Sequence, residues 1–206
     1  DAETATYGIY LYMRDALKSV HDIYLCWGEF RNGLWGAGTN KTLSGVDQTQ
    51  VRTSTMSSSN AYADWSVMYK TVNQANLILK HVPEMGISES VRNFSLGNAY
   101  FSRAWCYFWI ARIWGDAPLA LTGYESTGGD LYLPRAPKAE IFARIESDLT
   151  EAERYVTDNS DKAVATPAAV QMLKADYALW MYRVAGGGSS YLTMAEKAIE
   201  ALNLSA

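Results

Sequence analysis

Residues 97–119 (GNAYFSRAWCYFWIARIWGDAPL) decide the fold class of this chain. Their first part places apolar side chains on nearly every face of a helix, and such a helix belongs in the middle of an all-helical domain. Helix continuation is costly in the WGDAP segment at residues 114–118, because glycine and proline both disfavour it. We therefore predict a buried central helix that ends abruptly at this segment.

Helical periodicity recurs along the rest of the chain, and strand patterns are scarce. Alanines recur at the expected contact points of successive helices, and small residues allow the close packing that tetratricopeptide-like helix pairs require. The helix starts are irregularly spaced, roughly 25 to 45 residues apart, so a plain helical bundle is an alternative. We predict an all-α fold of stacked, tetratricopeptide-like helix hairpins with long irregular loops. The predicted helices cover residues 1–20, 60–82, 92–114, 137–156, 167–182 and 191–204.

The composition is that of a compact globular chain. Its 206 residues make one large domain or two small ones, with 49% hydrophobic and 19% charged residues. The net charge of −4 provides no basic surface for nucleic acid, so nucleic-acid binding is excluded. The apolar run at residues 104–111 is too short to span a bilayer. Cys106 is expected to be a buried free thiol, although a disulfide between Cys26 and Cys106 stays open.

Enzyme signatures are weak in this sequence. It has no Gly-x-Ser-x-Gly elbow, no His-Glu-x-x-His motif and no Cys-x-x-Cys motif, so we predict no catalytic residue, no metal site and no cofactor. A glycoside-processing enzyme needs two carboxylates held together in one cleft, and several loop carboxylates keep that alternative open. These are Glu29, Asp47, Glu125 and Asp130.

Ligand binding fits the sequence better than catalysis. Residues 26–59 are rich in glycine and small polar residues and follow no period, which is typical of a functional or disordered segment. An exposed aromatic ring can stack on a sugar ring, while arginine and asparagine hydrogen-bond its hydroxyl groups. The alternative is that these rings anchor their loops. The candidate ligand residues are Trp27, Arg31, Asn32 and Trp35 in this segment and Tyr124 in a later loop.

Two arginines lie on the most apolar helix of the chain, Arg103 and Arg112. A buried guanidinium requires carboxylate or carbonyl partners, and Asp148 and Asp176 are the candidates. We therefore expect these arginines to specify the fold rather than to bind ligand.

The helix predicted over residues 60–82 carries two amides on its polar side, Asn73 and Asn76. They are three residues apart and therefore share one face of the helix. We expect them to hydrogen-bond the backbone of a neighbouring loop rather than a ligand.

Four segments, in order, resemble the SusD/RagB family of nutrient-binding outer-membrane lipoproteins. Residues 65–76 (WSVMYKTVNQAN) are similar to the family's aromatic helix with its asparagines. Residues 101–119 are similar to its Arg-Ala-aromatic helix and the Tyr-Gly-Asp-Val-Pro-Leu turn, with Trp114 in place of tyrosine. Residues 133–152 resemble its Pro-Arg segment and Ile-x-x-Asp-Leu-x-x-Ala helix, and residues 165–198 resemble the next helix pair.

The resemblance implies a tetratricopeptide-like scaffold and a role in nutrient uptake. Members sit on the cell surface, lipid-anchored to the outer membrane, capture an oligosaccharide or other nutrient for a SusC-like, TonB-dependent transporter, and are not enzymes. Residues 1–206 would then be a SusD-like N-terminal domain, with a signal peptide and lipidated cysteine upstream and a C-terminal half beyond. The turn residues Gly115, Asp116 and Pro118 would be structural, like Asp148. A helical-repeat adaptor for protein partners is the alternative function.

Overall fold

The computed structural model describes residues 1–29, 32, 45–126, 128 and 131–202. Nearly all of its regular structure is helical, which confirms the predicted all-α, tetratricopeptide-like fold class. No helix in these ranges is long and apolar enough to cross a membrane. The helices are α1 (Ala2–Trp27), α2 (Val46–Thr53), α3 (Ser66–His81), α4 (Glu89–Trp114), α5 (Lys138–Tyr155), α6 (Pro167–Arg183) and α7 (Ser189–Ala201). The strands are β1 (Ala117–Pro118) and β2 (Arg135–Ala136), and one-turn 3₁₀ helices lie at Ala61–Ala63 and Val82–Glu84.

The chain divides into two compact units, a larger one of residues 1–10 and 71–206 and a smaller one of residues 11–70. In the larger unit α4 packs along α5 and α6 packs along α7, which gives two helix hairpins. Gly97 allows α4 to approach the end of α5 closely, because a Cβ atom there would lie 2.7 Å from Val156 Cγ2. Alanines of both hairpins are buried, in line with the small-residue pattern of the sequence: Ala104, Ala152, Ala178 and Ala195.

A shared carboxylate joins the two hairpins of the larger unit. Glu146 of α5 accepts hydrogen bonds at one oxygen, Oε1, from the Tyr177 hydroxyl of α6 at 2.8 Å and from the Tyr191 hydroxyl of α7 at 2.7 Å. Burial raises the pKa of the Tyr177 hydroxyl, with the hydrogen bond to Glu146 acting in the same direction. Tyr177 therefore stays protonated and donates to the carboxylate.

The smaller unit contains a helix that the sequence analysis does not predict. The expectation of irregular structure throughout residues 26–59 is wrong at α2 and at residues 26–27, because α1 runs seven residues beyond its predicted end at residue 20. The sequence gives no sign of α2, because VDQTQVRT buries only Val51 and shows no apolar stripe. Side chains attach α2 to the following turn: Asn60 accepts a 2.9 Å hydrogen bond from the Tyr62 N–H and donates to Gln50 Oε1 at 2.8 Å.

Capping residues set the helix ends in the larger unit. α4 ends at Gly115 as predicted, and its φ of 72° lies in the left-handed region that glycine adopts without strain. Thr166 caps α6 through a 3.2 Å hydrogen bond from the Ala169 N–H to its hydroxyl oxygen. α5 begins one residue later than predicted, at Lys138, with Pro137 as its N-cap.

The turn after α4 connects directly to the start of α5. Asp116 Oδ1 accepts a 2.8 Å hydrogen bond from the Lys138 N–H, and the Asp116 carbonyl oxygen accepts one from Arg135 Nη1 at 2.7 Å. β1 pairs antiparallel with β2, with Pro118 opposite Arg135. The sequence analysis misses this pair, because two-residue strands leave no alternating pattern to detect.

Both cysteines, Cys26 and Cys106, are buried and neither forms a disulfide. Burial raises the pKa of the Cys106 thiol, so it remains protonated and unreactive at neutral pH. The disulfide that the sequence leaves open is therefore not formed.

Candidate functional site

Trp27 is an anchor of the smaller unit rather than an exposed ring. Only 8% of its surface is exposed, and its indole N–H donates a 2.8 Å hydrogen bond to the Tyr62 carbonyl oxygen. A ring in this position presents no open face to a sugar. The structure thus matches the anchor alternative for Trp27, and we remove this residue from the candidate ligand contacts.

The other candidates near Trp27 are only partly described. Arg31 and Trp35 lie outside the described residues and stay predictions. Asn32 is exposed, and its amide nitrogen donates a 2.9 Å hydrogen bond to Glu29 Oε2.

Tyr124 lies in an open cleft of the larger unit, in the segment that connects α4 to α5. The cleft has a volume of about 410 Å³, which lies within the roughly 300–1,000 Å³ of small-molecule sites. Tyr124 is half-buried. The described lining of the cleft also contains Lys80, Thr122, Gly123, Glu125, Ser126 and Leu133.

The anchored loop, residues 120–126, is held to α3 by the two predicted amides. Asn73 binds both backbone polar groups of Tyr124. Its Oδ1 accepts a hydrogen bond from the Tyr124 N–H at 2.7 Å, and its Nδ2 donates one to the Tyr124 carbonyl oxygen at 3.1 Å. Asn76 Nδ2 donates to the carbonyl oxygens of Ala120 and Thr122 at 2.9 and 3.3 Å. The expectation that these asparagines bind loop backbone is confirmed.

Two further contacts fix the anchored loop against the helices. The Tyr107 hydroxyl of α4 donates a 2.7 Å hydrogen bond to the Ala120 carbonyl oxygen. Gly123 lies directly on α3, where a Cβ atom would be 2.8 Å from Leu77 Cδ2 and 2.9 Å from the Leu77 nitrogen. Only glycine fits this approach without movement of the loop.

A buried ion pair lies behind the anchored loop. Arg103 Nε and Nη2 of α4 each donate a 2.8 Å hydrogen bond to Asp148 of α5, and Arg103 Nη1 donates to Asn76 Oδ1 at 2.7 Å. Arg144 adds a 3.3 Å contact to Asp148 Oδ1. Burial raises the pKa of the Asp148 carboxyl, and the hydrogen bonds and charge of Arg103 act in the opposite direction. Through Asn76 of α3, the Arg103–Asp148 pair links α4 and α5 to the anchored loop.

Two charged residues, Lys80 and Glu125, line the cleft. Glu125 accepts hydrogen bonds from Lys80 Nζ at 2.8 Å and from the His81 ring nitrogen Nε2 at 2.5 Å. The hydrogen bonds from Lys80 and then His81 lower the pKa of Glu125, so it is ionised at neutral pH. Sequence reasoning does not connect Lys80 or His81 with Glu125, because only the folded loop brings Glu125 to the last turn of α3.

Arg112 occupies a more open position than Arg103. Its Nη1 lies 3.2 Å from Asp176 Oδ2, and the two side chains are 34% and 59% exposed. The guanidinium also lies 4.9 Å from the Phe108 ring centre and 5.6 Å from that of Trp109. This pair bridges α4 and α6 at the surface.

A second cavity of the larger unit, about 380 Å³ in volume, contains none of the predicted ligand residues. Asp158 and Asp161 line it, but both carboxylates accept hydrogen bonds within their own loop, from Ser160 and from the Ala163 N–H. The hydrogen bonds from Ser160 lower the pKa of Asp158. The Tyr124 cleft is therefore the stronger candidate site, since a predicted ligand residue, Tyr124, and the carboxylate residue Glu125 both line it.

Residues 37–180 match the SusD-like family described as "Starch-binding associating with outer membrane", which is more than half of the 206 residues. The chain belongs to this family. SusD-like protein P38 of Formosa agariphila is 30% identical over 131 residues, or 64% of this chain. A solved SusD superfamily protein from Parabacteroides distasonis is 26% identical with a TM-score of 0.82 over 98% of the chain. B. fragilis NanU is 28% identical and matches with a TM-score of 0.81 over 100% of this chain.

The SusD-like relatives are longer than this chain. It spans 25% of P38 and 44% and 41% of the two solved chains. The family resemblance inferred from the sequence is thus confirmed, while the expectation that residues 1–206 form the N-terminal domain of a longer protein stays a prediction.

Proposed function

We propose that this protein is a cell-surface lipoprotein of the outer membrane that captures oligosaccharide and delivers it to a SusC-like, TonB-dependent transporter. The observation that carries the proposal is the family match over residues 37–180, whose description names starch binding and the outer membrane. Capture requires no bond to be made or broken, so no cofactor takes part.

The Tyr124 cleft supplies chemistry that suits a sugar. An aromatic ring has an apolar face that can stack on the C–H side of a pyranose, and Asn73 holds the main chain of the Tyr124 residue that lines the cleft. Lys80 donates hydrogen bonds, Glu125 accepts them, and the Ser126 hydroxyl can do either, so all three can bind sugar hydroxyl groups. The cleft thereby combines an aromatic surface with several polar groups, as ligand sites generally do.

The charge state of Glu125 supports binding rather than hydrolysis. A glycosidase needs a general acid that is still protonated near neutral pH, which requires a raised pKa. Lys80 and His81 lower the pKa of Glu125 instead. Glu125 is therefore suited to accept hydrogen bonds from sugar hydroxyls, and a glycoside-processing role gains no support from this cleft.

Calorimetric titration of the full-length protein with oligosaccharides tests the capture step. Two neighbours that share the fold suggest the probes: one was solved with a xylogluco-oligosaccharide and is 22% identical, and the other is described as laminarin binding and is 16% identical. We expect Tyr124→Ala to weaken binding about 5- to 150-fold, or ~1–3 kcal/mol. Trp35→Ala is expected to weaken binding in the same range.

Tyr132→Ala is the matched control for Tyr124→Ala. Tyr132 lies on the same connecting segment, is 92% exposed and is outside the described lining of the cleft, so its replacement should leave affinity unchanged. Equal affinity of the parent protein and Tyr124→Ala for every bound glycan would remove the cleft from the site. Release of sugar from a polymer by the purified protein would contradict capture without chemistry.

The delivery step is tested in the native outer membrane. We expect the full-length protein to co-purify with a TonB-dependent transporter after mild detergent extraction, and its deletion to abolish growth on the captured glycan. A protein that is extracted alone, in cells whose growth does not depend on it, would refute delivery.

A further inference from the structure

Helix side chains bind the main chain of the anchored loop, and the Glu125 side chain adds contacts to Lys80 and His81. Asn73 and Asn76 of α3 and Tyr107 of α4 all bind main-chain atoms of residues 120–124. A side chain that holds this backbone therefore also determines where Tyr124 and Glu125 lie in the cleft.

The Asn76 amide has one favourable orientation. The guanidinium of Arg103 has donors and no acceptor, so the Asn76 atom 2.7 Å from Nη1 must be the amide oxygen. The amide nitrogen then faces the loop, where two carbonyl oxygens accept its hydrogens. A flipped amide would place N–H against N–H at Arg103 and oxygen against the two loop carbonyls, and all three contacts would be repulsive.

Asp148 holds the guanidinium that orients this amide. Its two oxygens take Nε and Nη2 of Arg103, which leaves Nη1 directed at Asn76. Such a two-point contact fixes the plane of the guanidinium as well as its position. A chain of hydrogen bonds thus runs from Asp148 through Arg103 and Asn76 to the carbonyl oxygens of the anchored loop.

We propose that Asn76, oriented by Arg103 and Asp148, is a positioning residue for ligand binding, because it holds the anchored loop in the shape that presents Tyr124 to the sugar. The inference rests on the proposed function, in which Tyr124 contacts the sugar. Asn76 is only 2% exposed and acts through the loop backbone, without touching the ligand.

Asn76→Asp is the most direct test. The variant keeps the side-chain size and the oxygen that faces Arg103, but a second oxygen replaces the donor that faces the loop. We expect hydrogen exchange of the amides at residues 122–126 to accelerate about tenfold, as for the loss of a buried hydrogen bond. Affinity for xyloglucan or laminarin oligosaccharides should fall about tenfold as well, while the amides of α5 exchange as in the parent protein.

Asn93→Asp is the matched control, since it adds the same charge to a neighbouring helix. Asn93 of α4 lines the second cavity and is not among the residues that bind the loop backbone, so both measurements should match the parent protein. Asn76→Ala removes the donor without adding charge and should loosen the loop in the same way.

Three results would overturn the proposal. These are unchanged exchange of the loop in Asn76→Asp, a loosened loop with unchanged glycan affinity, and global unfolding of both Asn76 variants. Failure of the parent protein to bind any oligosaccharide refutes the proposed function instead, and the exchange measurement then still decides whether Asn76 sets the loop.

Discussion

Replacing Asp148 by asparagine removes the negative partner of a buried guanidinium. Asp148 is fully buried and Arg103 is 4% exposed, and they share two hydrogen bonds of 2.8 Å. Removing one member of such a pair costs about 3–5 kcal/mol, because the other charge stays buried without compensation. Since domains unfold with about 5–15 kcal/mol, Asp148→Asn should lose a large share of the total stability.

Urea denaturation followed by tryptophan fluorescence measures the loss as a free energy of unfolding. Asp176→Asn is the matched control, because this carboxylate pairs with Arg112 at 3.2 Å at the surface, with side chains 59% and 34% exposed. An exposed pair contributes about 0–1 kcal/mol, so the control should unfold almost like the parent protein. A loss below about 1 kcal/mol for Asp148→Asn, or equal losses for both variants, would refute the reasoning.

A double variant separates the ion pair from the space it fills. Asp148→Leu with Arg103→Met removes both charges and should recover most of the stability that Asp148→Asn loses, since apolar replacement of a whole buried pair is often neutral. Asn76 Oδ1 then lacks its donor, so a residual loss of about 1–3 kcal/mol is expected. A double variant no more stable than the single one would indicate that packing dominates at this position.

Two further predictions concern helix capping and pH. Thr166→Ala should destabilise the protein by about 1 kcal/mol in urea, because the Ala169 N–H loses its acceptor, whereas Thr166→Ser should lose far less. Burial and a hydrogen bond with Cys26 raise the pKa of Tyr62 to about 12, while an unfolded tyrosine has a pKa of about 10. The contribution of Tyr62 to the free energy of unfolding is therefore fully present below about pH 10. It decreases by at most about 3 kcal/mol as the pH rises to about 12. The stability advantage over Tyr62→Phe should shrink across that interval, and a constant advantage would contradict the assignment.

The parts of the fold that sequence predicts well are those encoded by neighbouring residues. Gly115 ends α4 and Thr166 starts α6 because their own backbone and side-chain preferences act within one helical turn. α2 and the β1–β2 pair escape prediction for the opposite reason. A polar helix that buries only Val51, and strands of two residues each, obtain their stability from tertiary contacts that leave no periodic pattern.

The candidate site was predictable only in part. Asn73 and Asn76 lie on the polar side of an amphipathic helix, so their bonds to a loop could be expected, and Asp148 was one of two possible partners for Arg103. No local signal brings Glu125 to Lys80, which is 45 residues away in sequence. Trp27 shows a further limit of sequence-based prediction. Its indole N–H binds the carbonyl oxygen of Tyr62, 35 residues away, and no local pattern indicates this contact.

Attachment of the anchored loop through its main chain has an evolutionary consequence. The helices bind peptide N–H and carbonyl groups, which every residue at positions 120, 122 and 124 carries except for proline's missing N–H. Under the proposed function, mutation of Tyr124 can therefore alter which sugar is bound while the supporting helices are retained. With Gly123 as the constrained position, ligand selectivity could then diversify without a change in these helices.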